Sequence, residues 1–131
     1  MDNAIKQVKL TTKTIGQAAE DAAKNYLLAE GLSWITSNYR CYCGEIDLIM
    51  EDSCQKDLIF VEVRARRNAK AFGGAVESIT RQKRGKLLKT ASHFLLSRRQ
   101  YAQRPMRFDV ICFDGHPYQI NWIKNAFGFD S

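Results

Sequence analysis

The sequence lacks any long apolar segment, although 45% of its 131 residues are hydrophobic. No stretch near its start resembles a signal peptide, and no later run is long enough to span a membrane. We therefore expect a cytoplasmic protein without a membrane partner. Because no internal repeat, low-complexity tract or linker divides the chain, we expect a single domain over residues 14–131, preceded by a flexible N-terminus at residues 1–13.

The sequence also lacks the cysteine and histidine spacing of a typical zinc site. Its four cysteines are Cys41, Cys43, Cys54 and Cys112. They form no pair of Cys-x-x-Cys motifs, and neither of the two histidines stands at ligand spacing to them. Reduced thiols are therefore favoured over a zinc site.

Acidic residues are scarce in one long segment of the chain. Residues 64–107 contain thirteen Lys and Arg but a single acid, Glu77. A basic stretch of this length favours a polyanionic partner, and nucleic acid is the first candidate. A solvated surface is the plainer alternative.

Two apolar segments near the middle of the chain carry carboxylates. Residues 44–50 alternate between polar and apolar types and contain Asp47, whereas residues 58–64 are almost continuously apolar and contain Glu62. Burying an ionised carboxylate costs several kcal/mol unless a cation compensates it. If the segments pair as a hairpin, Asp47 and Glu62 meet on one side of a sheet. The alternative is a structural ion pair between Glu62 and Arg64 or Arg66.

Strict alternation makes a specific prediction for the first of these strands. Side chains two residues apart share a face of the sheet. One face is then expected to carry Glu45, Asp47 and Ile49, and the other Ile46, Leu48 and Met50.

A helix is predicted over residues 14–30. Its stripe at helical spacing contains Gly16, Glu20, Ala23 and Leu27. Glu20 is either a third acidic group directed at the Asp47 and Glu62 site, or a carboxylate favoured by the helix N-terminus.

The remaining segments complete an α/β pattern. A strand is expected before residue 44, a basic helix over residues 78–98, and two more strands near the C-terminus. The order αβββαββ predicts a mixed sheet of about five strands flanked by two helices. Cations near the start of the second helix oppose its dipole, so helix stability does not explain them.

These motifs resemble a known family. The chain contains GEIDLI, then FVEVR, then FDV, after a helix with the pattern G-x-x-x-E. From about residue 15 to residue 127 it is similar to the YraN family of small bacterial proteins. That family resembles the PD-(D/E)xK nucleases, which have a restriction-endonuclease-like core akin to archaeal Holliday-junction resolvases.

The resemblance implies a catalytic set of Glu20, Asp47, Glu62 and Arg64. It also implies a Mg²⁺ or Mn²⁺ ion held by Asp47, Glu62 and the Val63 carbonyl, with Glu20 at a second ion or a metal-bound water. Such an ion prefers oxygen ligands and neutralises charge on a scissile phosphate.

The basic loop and the start of the second helix are expected to hold the nucleic-acid backbone, with DNA as the expected substrate, branched or single-stranded. The expected contacts are Arg66, Arg67, Lys70, Arg81, Gln82, Lys83, Arg84 and Lys86. The resemblance to resolvases also suggests a homodimer.

The chain departs from the nuclease pattern at Arg64, where lysine is expected. Arginine stays protonated and cannot act as a base, although it can bind a phosphate through two hydrogen bonds. Three hypotheses therefore remain: a metal-dependent nuclease, a non-catalytic nucleic-acid-binding module on the same fold, and a basic protein-interaction domain.

Overall fold

The computed structural model describes residues 12–66, 79–115 and 117–128, with the side chains of the first helix described from residue 16 onward. Its elements are, in order, α1 (Thr12–Ala29), β1 (Leu32–Cys41), β2 (Gly44–Asp52), β3 (Leu58–Arg66), α2 (Arg81–Ser97), a short 3-10 helix (Arg99–Tyr101), β4 (Met106–Asp114) and β5 (Gln119–Phe127). The predicted order αβββαββ is confirmed. Helix α1 begins two residues before the predicted domain start, and residues 1–11 of the predicted flexible segment lie outside the described residues.

The five strands form one mixed sheet in the order β1-β2-β3-β4-β5. Strands β1, β2 and β3 are joined by antiparallel pairs, and β4 pairs antiparallel with β5. Strands β3 and β4 run parallel, so the chain crosses over through α2 between them. The central strand β3 is therefore paired on both sides, as its apolar sequence predicts.

Helix α1 covers one face of the sheet. Its buried residues Ala23 and Leu27 pack in one cluster with Leu48, Ile59 and Ile111. The same stripe continues toward the start of the helix at Glu20, because these positions are separated by three or four residues. Burial of this face therefore fixes which way Glu20 projects.

Helix α2 covers the opposite face. Its buried Leu87, Ala91 and Phe94 pack in a second cluster that includes Phe60 and Phe108. The Phe60 and Phe108 rings stack at 5.1 Å between centroids. Thr80 caps this helix by accepting a hydrogen bond from the Lys83 amide at 3.1 Å. In the described ranges neither helix is long and apolar enough to cross a membrane.

The hairpin of β1 and β2 lies close against α2. Gly44 begins β2 with φ of 153°, a conformation that side chains disfavour. A Cβ atom at Gly44 would lie 3.1 Å from the Thr90 Oγ1 of α2. Glycine is thus required both by the turn and by the approach of the helix.

The predicted alternation along β2 is wrong at Ile46. This side chain packs in the α2 cluster, whereas Leu48 and Met50 pack in the α1 cluster. Opposite the intervening Asp47, the β1 residue Asn38 has a left-handed backbone with φ of 52°. A left-handed residue interrupts the regular pleat, so side chains on either side of it need not share a face.

Candidate metal centre and active site

The ladder between β2 and β3 ends where the acidic residues begin. The last paired residues at this end are Leu48 and Val61. Beyond them, the Val63 amide donates to Asp47 Oδ2 at 2.8 Å, so a side chain accepts the bond that a strand carbonyl would otherwise accept. This end of the hairpin brings Asp47 and Glu62 together, as the sequence predicts.

Glu62 is a buried carboxylate with two cationic neighbours. Its side chain is 7% exposed, and Lys83 Nζ lies 2.9 Å from its Oε2 atom. Arg64 Nε lies further away, at 3.8 Å from the same oxygen. The ion pair with Arg64 that the structural alternative predicts is therefore present, but the shorter contact comes from Lys83 on α2.

The surroundings of Asp47 disfavour its ionisation. Burial, together with the negative charge of Glu62, raises the pKa of Asp47 to about 8. The charge of Glu20 and a hydrogen bond with Glu62 act in the same direction, while the Val63 amide acts against them. Asp47 therefore keeps its proton near neutral pH unless a cation enters the site.

Glu20 is half-buried and belongs to the same cluster. Asn38 Nδ2 donates to Glu20 Oε1 at 2.8 Å, and more weakly to Glu45 Oε2 at 3.4 Å. Of the two interpretations of Glu20, this geometry supports the acidic site, because its charge acts on Asp47 across the gap between α1 and the sheet.

Two cavities open on either side of the acidic pair. One, of about 380 Å³, is bordered on its α2 side by Thr80, Gln82 and Lys86. The other, of about 430 Å³, is lined by Glu20, Val63 and Arg64. Asp47, Glu62 and Lys83 are the three residues that line both. The acidic pair is therefore accessible to a small ion and lies beside basic side chains.

Apart from Lys83, the predicted nucleic-acid contacts fall into three groups. Arg81, Gln82 and Lys86 are exposed at the start of α2, and the last two line the first cavity. Arg66 lines the second cavity, and both Arg66 and Arg84 are engaged in polar contacts within the fold.

Arg66 Nε bonds Asp114 Oδ1 at 3.0 Å, and this bond raises the pKa of the guanidinium. Arg84 Nε donates to the Ile79 carbonyl at 3.1 Å, and its guanidinium lies 5.4 Å from the Phe127 ring centroid. Arg67 and Lys70 lie outside the described residues.

The donor set fits a divalent ion that prefers oxygen. Asp47 and Glu62 offer two carboxylates, and such an ion is commonly held by one or two carboxylates plus waters. A cation is already in place on Glu62, in the form of the Lys83 ammonium. Within the described part of the chain, no group of three or more Asp, Glu, Cys or His side chains is arranged to hold a metal ion. The fit therefore rests on the pair, with Glu20 further out.

Sequence reasoning missed Asn38 and the contact made by Lys83. Asparagine tolerates a left-handed backbone better than most residues, but a single Asn inside a strand gives no clear signal. The sequence predicts Lys83 only as a phosphate contact, because it is one of several bases on one helix. Its contact with Glu62 depends on how α2 docks, which the local sequence does not specify.

The fold and the acidic site together define a structural class. Two helices and a five-stranded mixed sheet in the order αβββαββ, with acidic residues at the open end of the β2–β3 hairpin, form a restriction-endonuclease-like α/β domain.

A sequence model of the uncharacterised protein family UPF0102 matches residues 19–113, and the chain belongs to this family. The resemblance to the YraN family is thereby confirmed, because YraN proteins are UPF0102 proteins.

Curated relatives cover nearly the whole chain. A UPF0102 protein of Legionella pneumophila is 47% identical over 116 residues, which is 88% of this chain and 96% of the relative. A UPF0102 protein of Ralstonia pickettii is 47% identical over 123 residues, or 92% and 94% of the two chains. One from Ralstonia nicotianae is 49% identical over 119 residues, or 88% of each. These relatives share the length of the domain, and their names assign no activity.

Proposed function

We propose that this protein is a metal-dependent nuclease that hydrolyses phosphodiester bonds in DNA. The observation that carries the proposal is the pair Asp47 and Glu62, held together at the end of a strand ladder and open to two cavities. Structural carboxylates are usually satisfied by surrounding donors, whereas close and desolvated carboxylates are typical of metal and catalytic sites.

The residues have separable roles in this reaction. Asp47, Glu62 and the Val63 carbonyl would hold the ion, and Glu20 would bind a water at its outer side. When bound, the ion would supply Lewis acidity toward the scissile phosphate and toward water. Arg81, Gln82 and Lys86 would hold flanking phosphates at the start of α2, where the helix dipole also favours anions.

Hydrolysis itself is a displacement at phosphorus. The oxygen of a water molecule bonds to phosphorus while the bond from phosphorus to one ester oxygen breaks. One proton of that water passes to solvent, and the departing oxygen takes up a proton from solvent. The chain contributes by positioning the phosphate and compensating its charge, which is the larger part of catalysis in such reactions.

An exposed aromatic residue supports DNA with unpaired bases as the substrate. Tyr42 is at the tip of the β1–β2 hairpin and is 93% exposed. Its ring lies 6.1 Å from that of His93, in an edge-on arrangement, beside the exposed Leu96. Exposed aromatic rings near basic residues are the usual platform for unstacked bases. Single-stranded or branched DNA therefore fits better than a regular duplex.

The second candidate is a nucleic-acid-binding module that does not cleave. Arg64 favours it, because a guanidinium stays protonated and cannot replace a lysine that takes up a proton. This candidate predicts DNA binding that is independent of Mg²⁺ and Mn²⁺.

Light scattering of the purified protein tests the homodimer that the resemblance suggests.

A cleavage assay with matched variants tests the proposal. The full chain is incubated with labelled four-way junction, single-stranded and duplex DNA in Mn²⁺, and separately in EDTA. We expect Glu62→Gln to reduce the rate by at least about 100-fold while DNA affinity changes by less than about threefold.

The matched control is Glu51→Gln, which changes another part-buried, ion-paired glutamate at the opposite end of the β2–β3 hairpin. It is expected to cleave as wild type does. DNA binding without cleavage by wild type in either metal would support the binding module and reject the nuclease.

A further inference from the structure

We propose that Lys83, from α2, is a catalytic residue of this site: its ammonium contacts the scissile phosphate in the role that the strand motif would assign to a lysine at position 64. This inference rests on the proposed nuclease function. It reassigns Lys83 from the set of residues that hold flanking phosphates to the reacting centre.

The position of Lys83 carries the inference. Its Nζ atom is 2.9 Å from Glu62 Oε2, and the residue lines both cavities together with Asp47 and Glu62. The other bases of α2 that border a cavity, such as Lys86, line the α2 side only. Lys83 is therefore the base of the described chain that lies at the junction of both cavities with the acidic pair.

Arg64 is less well placed for the same role. Its Nε atom lies 3.8 Å from Glu62 Oε2, is buried, and has no hydrogen-bond partner among the described residues. Arg64 lines only the cavity on the α1 side. A guanidinium is also a planar fork that suits two acceptors side by side, whereas an ammonium is a compact charge with three donors.

The start of α2 holds the backbone of Lys83 in place and concentrates positive charge there. The Lys83 amide donates to the Thr80 side chain in the N-cap, which anchors the backbone at this position. The first turn of α2 contains no acidic residue, so no acid within the helix compensates the bases at the positive end of its dipole. Such a concentration of positive charge favours an entering phosphate.

The side chain is also partly free to contact substrate. It is 43% exposed, whereas Glu62 is 7% exposed. Glu62 takes one of the three donors of the ammonium, which leaves two for a phosphate oxygen or a water. A purely structural ion pair with Glu62 would need neither this exposure nor the position between two cavities.

Lys83→Met is the direct test, because methionine keeps the length of the chain's apolar stem and removes the charge. We expect its single-turnover cleavage rate in Mn²⁺ to fall at least about 100-fold, with DNA affinity in Ca²⁺ changed by less than about threefold. Lys83→Arg restores a positive charge but not the compact ammonium, so its rate should lie between those of Lys83→Met and wild type.

Metal affinity gives a readout that does not depend on cleavage. In the DNA-free protein, Lys83→Met removes a cation that competes for Glu62, so we expect Mn²⁺ to bind about 3- to 10-fold more tightly by calorimetry. Lys124→Met, which changes an exposed lysine on β5, is the control and should leave both the cleavage rate and the Mn²⁺ affinity unchanged.

The outcomes separate this inference from the function on which it rests. If wild type cleaves DNA and Lys83→Met cleaves equally fast, the Lys83 assignment is wrong and the nuclease stands. Unchanged Mn²⁺ affinity in Lys83→Met would also contradict it, because the ammonium would then lie away from the ion. If wild type cleaves no DNA in Mn²⁺, the nuclease and the role of Lys83 are both rejected.

Discussion

Asp109 and Asp47 are both strand aspartates of the same sheet, and their surroundings differ in kind. The Asp109 side chain is fully buried and accepts from Arg107 Nε at 2.9 Å, Trp122 Nε1 at 2.9 Å and the Asn125 amide at 2.9 Å. A second Arg107 nitrogen bonds it at 3.2 Å. Asp47 instead accepts one amide and lies beside another carboxylate.

The difference is the one expected between a structural carboxylate and the metal-binding carboxylate that we propose. Around Asp109, every nearby donor belongs to the fold, so the charge is compensated before any ligand arrives. Glu62 is paired with Lys83, whereas Asp47 has no ion-pair partner among the described residues, and both carboxylates are open to cavities. Two acidic residues in strands are therefore assigned opposite roles by the donors around them and not by their strand position.

The largest expected effect is on the structural side of this comparison. We expect Asp109→Asn to lower the free energy of unfolding by about 3–5 kcal/mol, because it leaves Arg107 beside a neutral, partly mismatched amide. Urea denaturation of the metal-free protein measures this. Exposed Asp21→Asn on α1 is the control. A loss below about 1 kcal/mol would show that Asp109 is not a structural anchor.

In contrast to Asp109→Asn, Asp47→Asn should increase the free energy of unfolding of the metal-free protein. The pKa of Asp47 is raised to about 8 from 3.8, so between these pH values the folded protein holds a proton that the unfolded chain releases. Stability is then lost as pH rises toward 8, and Asp47→Asn should remove that loss. We expect the stability gained by Asp47→Asn in EDTA to be larger at pH 8 than at pH 5, by about 2–4 kcal/mol.

The same denaturation experiment with Asp21→Asn controls for surface charge, and its effect should be alike at both pH values. If Asp47→Asn destabilised the metal-free protein at pH 8, Asp47 would be a structural residue like Asp109. The contrast between the two aspartates would then be lost.

The smallest expected effect is on DNA affinity, and it concerns the basic residues that lie outside the acidic site. Arg107 is committed to Asp109 and Asp57, whereas Arg81 and Lys86 are exposed at the start of α2. We expect Arg81→Ala with Lys86→Ala to weaken DNA binding at low salt. The slope of log affinity against log salt should flatten by about one to two units.

Arg98→Ala with Arg99→Ala removes the same charge from the far end of α2 and serves as control. Fluorescence anisotropy with single-stranded DNA over a salt series measures both. Equal slopes for the two double variants would place the DNA surface elsewhere on the molecule.

Local sequence patterns predicted the order and pairing of most elements of the fold. The order of elements, the β2–β3 hairpin and the approach of Asp47 to Glu62 follow from periodicity and from the polar turn between the strands. The stripe of α1 predicted that Glu20 lies on the same side of the helix as the buried Ala23 and Leu27, whereas its role at the site stays a prediction.

The parts that escaped prediction depend on non-local geometry. The switch of faces at Asp47 coincides with the left-handed Asn38 on a neighbouring strand. The contact of Lys83 with Glu62 arises from the docking of α2 on the sheet. Neither is encoded by spacing within one segment, so a regular strand and a uniformly basic helix were the natural expectations.

The most direct test of the central claim is calorimetric titration of Mn²⁺ into wild type and Asp47→Asn, both metal-free and folded at the same pH. If the acidic pair is a metal centre, wild type should show saturable binding that Asp47→Asn weakens by at least about tenfold. Equal binding by both proteins, or no saturable binding by wild type, would contradict the metal centre and make the pair a structural feature.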